Sequence, residues 1–317
     1  MSAPLKRQDF EKVVIVTRET ALEGLLERFQ VRGQAKFYLE RAGQDYDTVE
    51  AGHEQYQEAV LAVRRQVPKK LKVQAIDRAF LPQFLFAPTD IVITVGQDGL
   101  VANVAKYLEG QPIVAVNPDP THIDGILLPV AVEQVGQVVQ AVIKGRASYK
   151  MMTMAQAQLN DGQTLRAVND VFIGAQNHVS ARYRMQAGQQ FEEQSSSGII
   201  VSTGVGSTGW LQSIYAEAAG VVTACGGSWP DLPHDGRLPW DTDRLVYAVR
   251  EPFPSKTTGA SLVFGEVTQA NPLIVTSLMS EGGVIFSDGI QKDYLPFNRG
   301  SMVTIGIAPN KTYLAVL

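Results

Sequence analysis

The 317 residues suffice for two ordinary domains, and a 45% share of hydrophobic side chains can fill a sizeable core in each, which excludes a disordered chain. Lys plus Arg (28) nearly balances Asp plus Glu (32), leaving a net charge of −4 with no basic run. Charge-driven binding to nucleic acid is therefore excluded, and any anionic ligand needs a local site.

The only cysteine, Cys225, excludes an internal disulfide and a thiolate metal cluster; it fits a reducing compartment and reads as a small buried apolar residue. The opening MSAPLKRQDF lacks the apolar core of a signal peptide, and no window approaches the ~18 uncharged apolar residues of a membrane helix. The expected location is cytoplasmic.

In chain order, VVIVT at 13–17 reads as a short buried strand, and after a charged, helix-prone stretch Tyr56, Val60, Val63 and Val67 mark one helical face. A second strand is expected over 71–76, behind Pro68. The run DIVITV at 90–95 is continuous and β-branched, as in a strand covered on both faces, and leads directly into GQDG at 96–99. Leu100, Val101, Val104, Ala105 and Leu108 then form a helical stripe, and PIVAV at 112–116 supplies the next strand. Strand, loop, helix and strand in this order predict an α/β domain with a parallel sheet.

From about residue 128 the texture changes. Val132, Val135, Val139 and Val142 mark one more helix, after which short β-rich runs are separated by turn signals such as NDG at 160–162 and QAG at 186–188. Strands are expected over 168–173, 180–185, 199–202, 245–249, 261–264, 273–276, 284–286, 303–307 and 313–316, with a Pro/Gly-rich surface loop over 229–240. The expected division is an α/β domain over 1–128 and a largely antiparallel, β-rich domain over 129–317.

Two glycine loops carry the chemistry. In STGVGSTG at 202–209, Gly204, Gly206 and Gly209 have the G-x-G-x-x-G spacing of dinucleotide-binding oxidoreductases. That reading needs a βαβ unit with an acidic residue about 20 positions on. Trp210, Ile214 and Ala218 support the helix and VVT at 221–223 offers a strand, but GGSWP follows and Asp231 falls in the loop. A Walker loop fails because Trp210 stands where Lys is needed, and a nucleophile elbow at Ser207 fails because Val205 replaces its first glycine. An anion site remains, with free N–H groups around Ser207 and Thr208 at a helix N-terminus; the alternative is a structural turn.

The second loop, GQDG at 96–99, ends a parallel strand, where open α/β sheets bind their ligands. Gly96 and Gly99 let a polyphosphate approach the backbone, and Asp98 could accept a hydroxyl proton or hold Mg²⁺. Capping of the following helix is its alternative role.

Together these segments resemble a known family. VGQDG at 95–99 resembles the G-G-D-G signature of the NAD kinase and diacylglycerol kinase superfamily. VNDV at 168–171 resembles the N-E pair of NAD kinases, and STGVGST at 202–208 their S-T-P-T-G-S-T loop, in the same order and spacing. VNPDP at 116–120 before Gly125, NDVFIG at 169–174, SSG at 196–198 and REP at 250–252 are similar to the mitochondrial-type branch. The likeness runs from about Val13 to the end.

The resemblance implies an α/β domain followed by a β-sandwich-like domain, with the active site in the cleft between them. It implies transfer of the γ-phosphoryl of ATP, or of inorganic polyphosphate, to the adenosine ribose 2′-hydroxyl of NAD, giving NADP with Mg²⁺. By position, Asp98 is then catalytic and takes the hydroxyl proton, while Gly96, Gln97 and Gly99 lie against phosphates; Arg18, just after the first strand, is placed to reach them. Asn169 would bond the adenine, and Asp170, standing where the family has Glu, would contact ribose. Gly206, Ser207 and Thr208 would contact the dinucleotide. Asp288 and Gly289 resemble a further family D-G turn, and read equally as a hairpin turn. Mg²⁺ would arrive with ATP near Asp98 and not in a site of protein ligands alone. The partners implied are NAD, ATP and a second copy of the chain, as a homodimer or higher homo-oligomer.

Three departures stand out. Gln97 replaces the second signature glycine, Leu100 replaces a threonine, and Ser197 stands where bacterial NAD kinases have an acidic residue, as in the mitochondrial-type branch. A related sugar or lipid kinase, or a catalytically weak nucleotide-binding homologue, is the alternative that Gln97 leaves open. No basic amphipathic stretch suggests a membrane surface. DPTHID at 119–124 is the only cluster with metal-like spacing and reads as loop structure or a substrate contact.

Overall fold

Apolar runs that do not alternate become strands buried on both faces. In a computed structural model, which describes residues 9–317, β1 (Lys12–Thr17), β2 (Lys72–Asp77), β3 (Asp90–Val95) and β4 (Pro112–Asn117) pair in parallel in the order β2-β1-β3-β4. Every residue of β3 and β4 is buried. Positions 1–8 of the opening stretch discussed above lie outside the described residues.

The helices are α1 (Ala21–Phe29), α2 (Arg32–Arg41), α3 (Tyr46–Gln66), α4 (Asp98–Ala105), α5 (Val135–Ile143) and α6 (Trp210–Ala224). A capping box opens α1, in which the Thr20 hydroxyl accepts the Glu23 N–H and Glu23 Oε2 accepts the Thr20 N–H. Tyr56, Val63 and Val67 pack in one core with the strands and with Val135, Val138, Val139 and Val142 of α5.

The chain divides into two units, one of Met1–Lys150 with Tyr313–Leu317 and one of Met151–Thr312. The expected boundary after residue 128 is thus too early, because the valine stripe of α5 is buried in the core of the parallel-sheet unit, with its strands and α3. The expected strand at 313–316 does not belong to the β-rich domain either. It forms as Thr312–Val316 and pairs in parallel with β4, Tyr313 beside Pro112 and Leu314 beside Ile113.

The second unit holds two six-stranded sheets. One runs Gln190–Ser196, Ala181–Ala187, Leu273–Ser277, Met302–Ile307, Ala155–Leu159, Thr164–Ala167; the other Phe264–Thr268, Arg244–Val249, Ile199–Ser202, Asp170–Ala175, Gly283–Ser287, Ile290–Pro296. Their pairings are antiparallel, and inward residues of both, among them Ala157, Tyr183 and Val303 facing Ile173, Val201 and Tyr247, share one core. This is a β-sandwich. The expected strand at 261–264 starts only at Phe264. Residues 221–223 continue α6, so the glycine loop at 202–209 connects antiparallel strands and is not part of a βαβ unit. Cys225, at the end of α6, is exposed and not buried as expected.

Candidate active-site residues

At the C-terminal ends of β1 and β3, Tyr56 of α3 joins two chain segments. Its hydroxyl donates to the Val95 carbonyl at 2.8 Å and accepts the Arg18 N–H at 2.9 Å. The Arg18 guanidinium lies 5.6 Å from the Tyr56 ring centroid, and its Nε is buried with no hydrogen-bond partner. A Cβ on Gly96 would come within 2.9 Å of Leu100 Cδ2, so this glycine is needed for Leu100, 2% exposed, to pack beneath the loop. Around Gly99 nothing lies within 4 Å of where a Cβ would stand, so packing places no demand for glycine there.

Gln97 is the exposed N-cap residue of α4, and its side chain makes no capping bond. Asp98 does not cap the helix. Its Oδ1 accepts the Leu127 N–H at 2.6 Å, and the second oxygen carries no hydrogen bond among the described residues. The chain reaches Leu127 by a turn built around Asn117, whose Nδ2 donates to the Ile123 carbonyl at 2.9 Å and whose Oδ1 accepts the Asp119 N–H at 3.0 Å. Gly125 at φ +65° closes that turn, and a Cβ there would meet Asn117 Nδ2 at 2.7 Å. The NPDP segment therefore serves to hold position 127 against Asp98. Arg18, His53, Tyr56, Gln97, Asp119 and His122 border a cleft of about 410 Å³.

In the second unit, residues 168–170, the glycine loop and Asp288 come together. Asp288 and Gly289 have φ of +53° and +71° and turn the chain between Gly283–Ser287 and Ile290–Pro296, which is the hairpin reading. The same aspartate also accepts N–H groups from Val168 at 3.0 Å, Asn169 at 2.7 Å and Asp170 at 3.3 Å, and donates its own N–H to the Asp170 carbonyl at 3.1 Å. The Asn169 backbone is thus fixed, with its side chain half-buried. Asp170 Oδ1 and the hydroxyl of its cross-strand neighbour Ser202 are both buried without partners. Burial pushes the Asp170 carboxyl up to about 7, the neighbouring Ser202 hydroxyl opposing that rise and the Asp288 carboxylate adding to it.

Thr203, fully buried, organises the glycine loop. Its N–H donates to the Asn169 carbonyl at 2.9 Å, its hydroxyl donates to the Val168 carbonyl, and the same oxygen accepts the N–H groups of Val205 and Gly206 at 3.1 Å each. Ser207, Thr208 and Gly209 give their N–H groups to the carbonyls of Thr203, Val205 and Gly206. Every amide from 205 to 209 therefore has an intramolecular acceptor, and the expected anion site of free loop amides is not there. Ser207 is fully buried, donating to the Gly204 carbonyl and accepting the Leu238 N–H; of Gly206, Ser207 and Thr208 only Thr208 is exposed. A Cβ on Gly206 would run into the Asn169 carbonyl, with Asp170 Oδ1 at 2.8 Å.

The other family-like segments in this unit pack the start of α6. Phe172 stacks between Trp210 at 5.9 Å and Phe286 at 4.8 Å, over Gly174 and Gly198, and the Arg250 guanidinium covers Trp210 at 5.5 Å. Sequence reasoning missed Tyr56, Asn117 and Thr203, of which only Thr203 has a local signal, a hydroxyl directly behind a buried strand with glycine following. Among the described residues no three His, Cys, Asp or Glu side chains converge as a metal site, and no helix is long and apolar enough to cross a membrane.

The chain matches no protein-family model. In sequence it is similar to a protein described as "Probable NADH kinase" from Oryza sativa subsp. japonica, 26% identical over 221 residues, 62% of each chain. It is also similar to NAD kinases of Geobacter metallireducens, 28% identical over 153 residues (46% of this chain, 53% of that one), and Chlorobaculum tepidum, 22% over 173 residues (49% and 60%). It thus spans between 53% and 62% of the length of these curated relatives. Among solved structures it is similar to yeast NADH kinase complexed with NADH, with a TM-score of 0.57 at 15% identity over 98% of this chain and 84% of that one. An NAD kinase from Archaeoglobus fulgidus in complex with ATP gives 0.53 at 16% identity over 95% and 92%. At these identities the structural likeness establishes the fold.

Proposed function

We propose that this chain, related in sequence to the NAD and NADH kinases and sharing their fold, is an NAD kinase-like phosphotransferase. It moves the γ-phosphoryl of ATP, or a phosphoryl of inorganic polyphosphate, to the 2′-hydroxyl of the adenosine ribose of NAD or NADH. The observation that carries this reading is Asp98: a carboxylate at the end of a buried parallel strand, flanked by Gly96 and Gly99, with one oxygen fixed by the Leu127 N–H and the other unengaged. A general base needs that combination of fixed orientation and one open oxygen.

Asp98 takes the 2′-hydroxyl proton as the ribose oxygen forms its bond to phosphorus and the bond from phosphorus to the bridging oxygen of the donor breaks. Phosphoryl transfer asks the protein mainly for alignment and charge neutralisation. Gly96, Gly99 and Arg18 supply contact and charge on the donor side. Asn169, Asp170 and Thr208 are assigned to the dinucleotide, and Gly206, Ser207, Asp288 and Gly289 to the backbone that carries them. Mg²⁺ would arrive with the donor, held mostly by phosphates and water, with Asp98 as the carboxylate offered to it. When bound with the donor, Mg²⁺ would neutralise phosphate charge.

The test is incubation of the protein with ATP and Mg²⁺ and, separately, NAD, NADH or a panel of sugars, following NADP(H) or sugar phosphate. Phosphorylation of a sugar with none of NAD or NADH overturns the acceptor assignment. Thermal stabilisation by NAD without product would make the chain a binding protein.

A further inference from the structure

We propose that His53 and His122 are donor-binding residues, and that with Arg18 they make the cleft at the end of β1 a site for a condensed phosphate chain, whether of a nucleoside triphosphate or of inorganic polyphosphate. This rests on the kinase reading for its ligand, while the site itself rests on geometry. His53 comes from α3 and His122 from the loop after β4, and both line the cleft with Arg18, Tyr56, Gln97 and Asp119.

Each imidazole is held by its Nδ1, His53 on the Thr20 hydroxyl at 2.9 Å and His122 on Asp119 Oδ2 at 2.8 Å. The ring orientation is thereby fixed, and Nε2 is the nitrogen left for a ligand. Thr20 Oγ1 already accepts the Glu23 N–H, so its own proton can go to His53 Nδ1, which puts the imidazole hydrogen on Nε2 as a donor. His122 gives its Nδ1 hydrogen to Asp119, and in the imidazolium form its Nε2 is a second N–H donor.

The charge balance of the lining agrees. Arg18 is a fixed cation, two imidazoles add donors, and the only carboxylate on the wall, Asp119, is engaged by His122. The Arg18 Nε is buried without a partner while its guanidinium rests over Tyr56, so the side chain is ordered before any ligand arrives. Gln97 shares this wall, exposed and uncapped. Side chains thus take over phosphate recognition where the family's second glycine would offer backbone.

The experiment is calorimetric titration of wild type, His53→Ala, His122→Ala and the double variant with inorganic tripolyphosphate and with ATP, alongside NAD. Loss of one hydrogen bond to a charged ligand predicts roughly ten-fold weaker binding of both phosphate ligands per substitution, with NAD affinity within about two-fold. His122 is 76% exposed, so His122→Ala alone keeps the test valid if a His53 variant misfolds. Tripolyphosphate binding by the double variant equal to wild type, no binding by wild type, or a loss confined to ATP would each overturn the assignment. Binding of tripolyphosphate that depends on both histidines, in a protein that makes no NADP, would keep the cleft and remove the kinase reading.

Discussion

Asp288 Oδ1 accepts the Asn169 N–H at 2.7 Å across 119 positions of sequence, and the same carboxylate holds the amides on either side of Asn169. One hairpin turn thereby sets the backbone of the segment assigned to the dinucleotide. Asp288→Ala leaves three partly buried N–H groups without an acceptor and puts alanine at φ +53°, so a loss of roughly 2–4 kcal/mol in unfolding free energy and of NAD binding is expected. Asp288→Asn keeps an acceptor oxygen and tolerates that φ, and should lose less than half as much. Denaturant midpoints and NAD titration of the two variants check this; equal losses would show that the complete carboxylate, with both oxygens accepting, and not the turn conformation matters.

Asp98→Asn should retain the fold, because an amide oxygen can still accept the Leu127 N–H. It cannot take a proton. Turnover should fall by about 10²–10⁴-fold, with NAD affinity within a few fold. An initial-rate assay beside NAD titration reads both quantities, and normal turnover in the variant removes Asp98 as the base.

The two glycine loops should respond oppositely to alanine. At Gly206 the added methyl meets the Asn169 carbonyl, which is backbone and cannot swing away, so Gly206→Ala should lower stability by roughly 2–4 kcal/mol. At Gly99 nothing stands within 4 Å and the residue is helical, so Gly99→Ala should leave stability unchanged or raise it by about 0.5–1 kcal/mol. A Gly99→Ala enzyme that melts normally but has a raised KM for the phosphoryl donor would show that the missing side chain serves the ligand. If it is unaltered in both respects, Gly99 is not at the donor site.

The parts of the fold legible in the sequence are those where one physical requirement acts alone. DIVITV and PIVAV could only be strands buried on both faces, and the valine stripe of α5 could only be a packed helix. Strands such as Gln190–Ser196 and Ala155–Leu159 were illegible because their buried positions are filled by Ser, Gln and Ala, which satisfy the sandwich through the Tyr183, Gln194 and Ser196 hydrogen bonds and through close sheet packing. The location of Thr312–Val316 could not be read locally at all, since YLAV suits either sheet and long-range pairing with β4 decides. At the candidate site, residue types pointed to where chemistry could sit, but not to the partners that orient it. Asp98 is oriented by a backbone N–H 29 positions on, and the loop amides are taken by Thr203, a use of hydrogen bonds that spacing does not encode.

Asp170 gives a pH prediction whose sign is fixed by its environment. The carboxyl ordinarily titrates at 3.8, and in the folded chain burial, with the Asp288 carboxylate adding to it, raises it to about 7. Between those values the native state holds a proton that the unfolded chain has released, so this group's contribution to stability is full below about pH 4 and is lost as pH rises to about 7. Asn is nearly isosteric with the protonated acid and cannot ionise. Asp170→Asn should therefore match wild type only below about pH 4, and its excess stability should grow by roughly 1–3 kcal/mol between pH 5 and pH 8, levelling off above about 7. Urea unfolding of both proteins at pH 5, 6, 7 and 8 measures that difference directly, and a gap that stays constant across the four values would mean that Asp170 is ionised throughout and that its buried oxygen has found a partner.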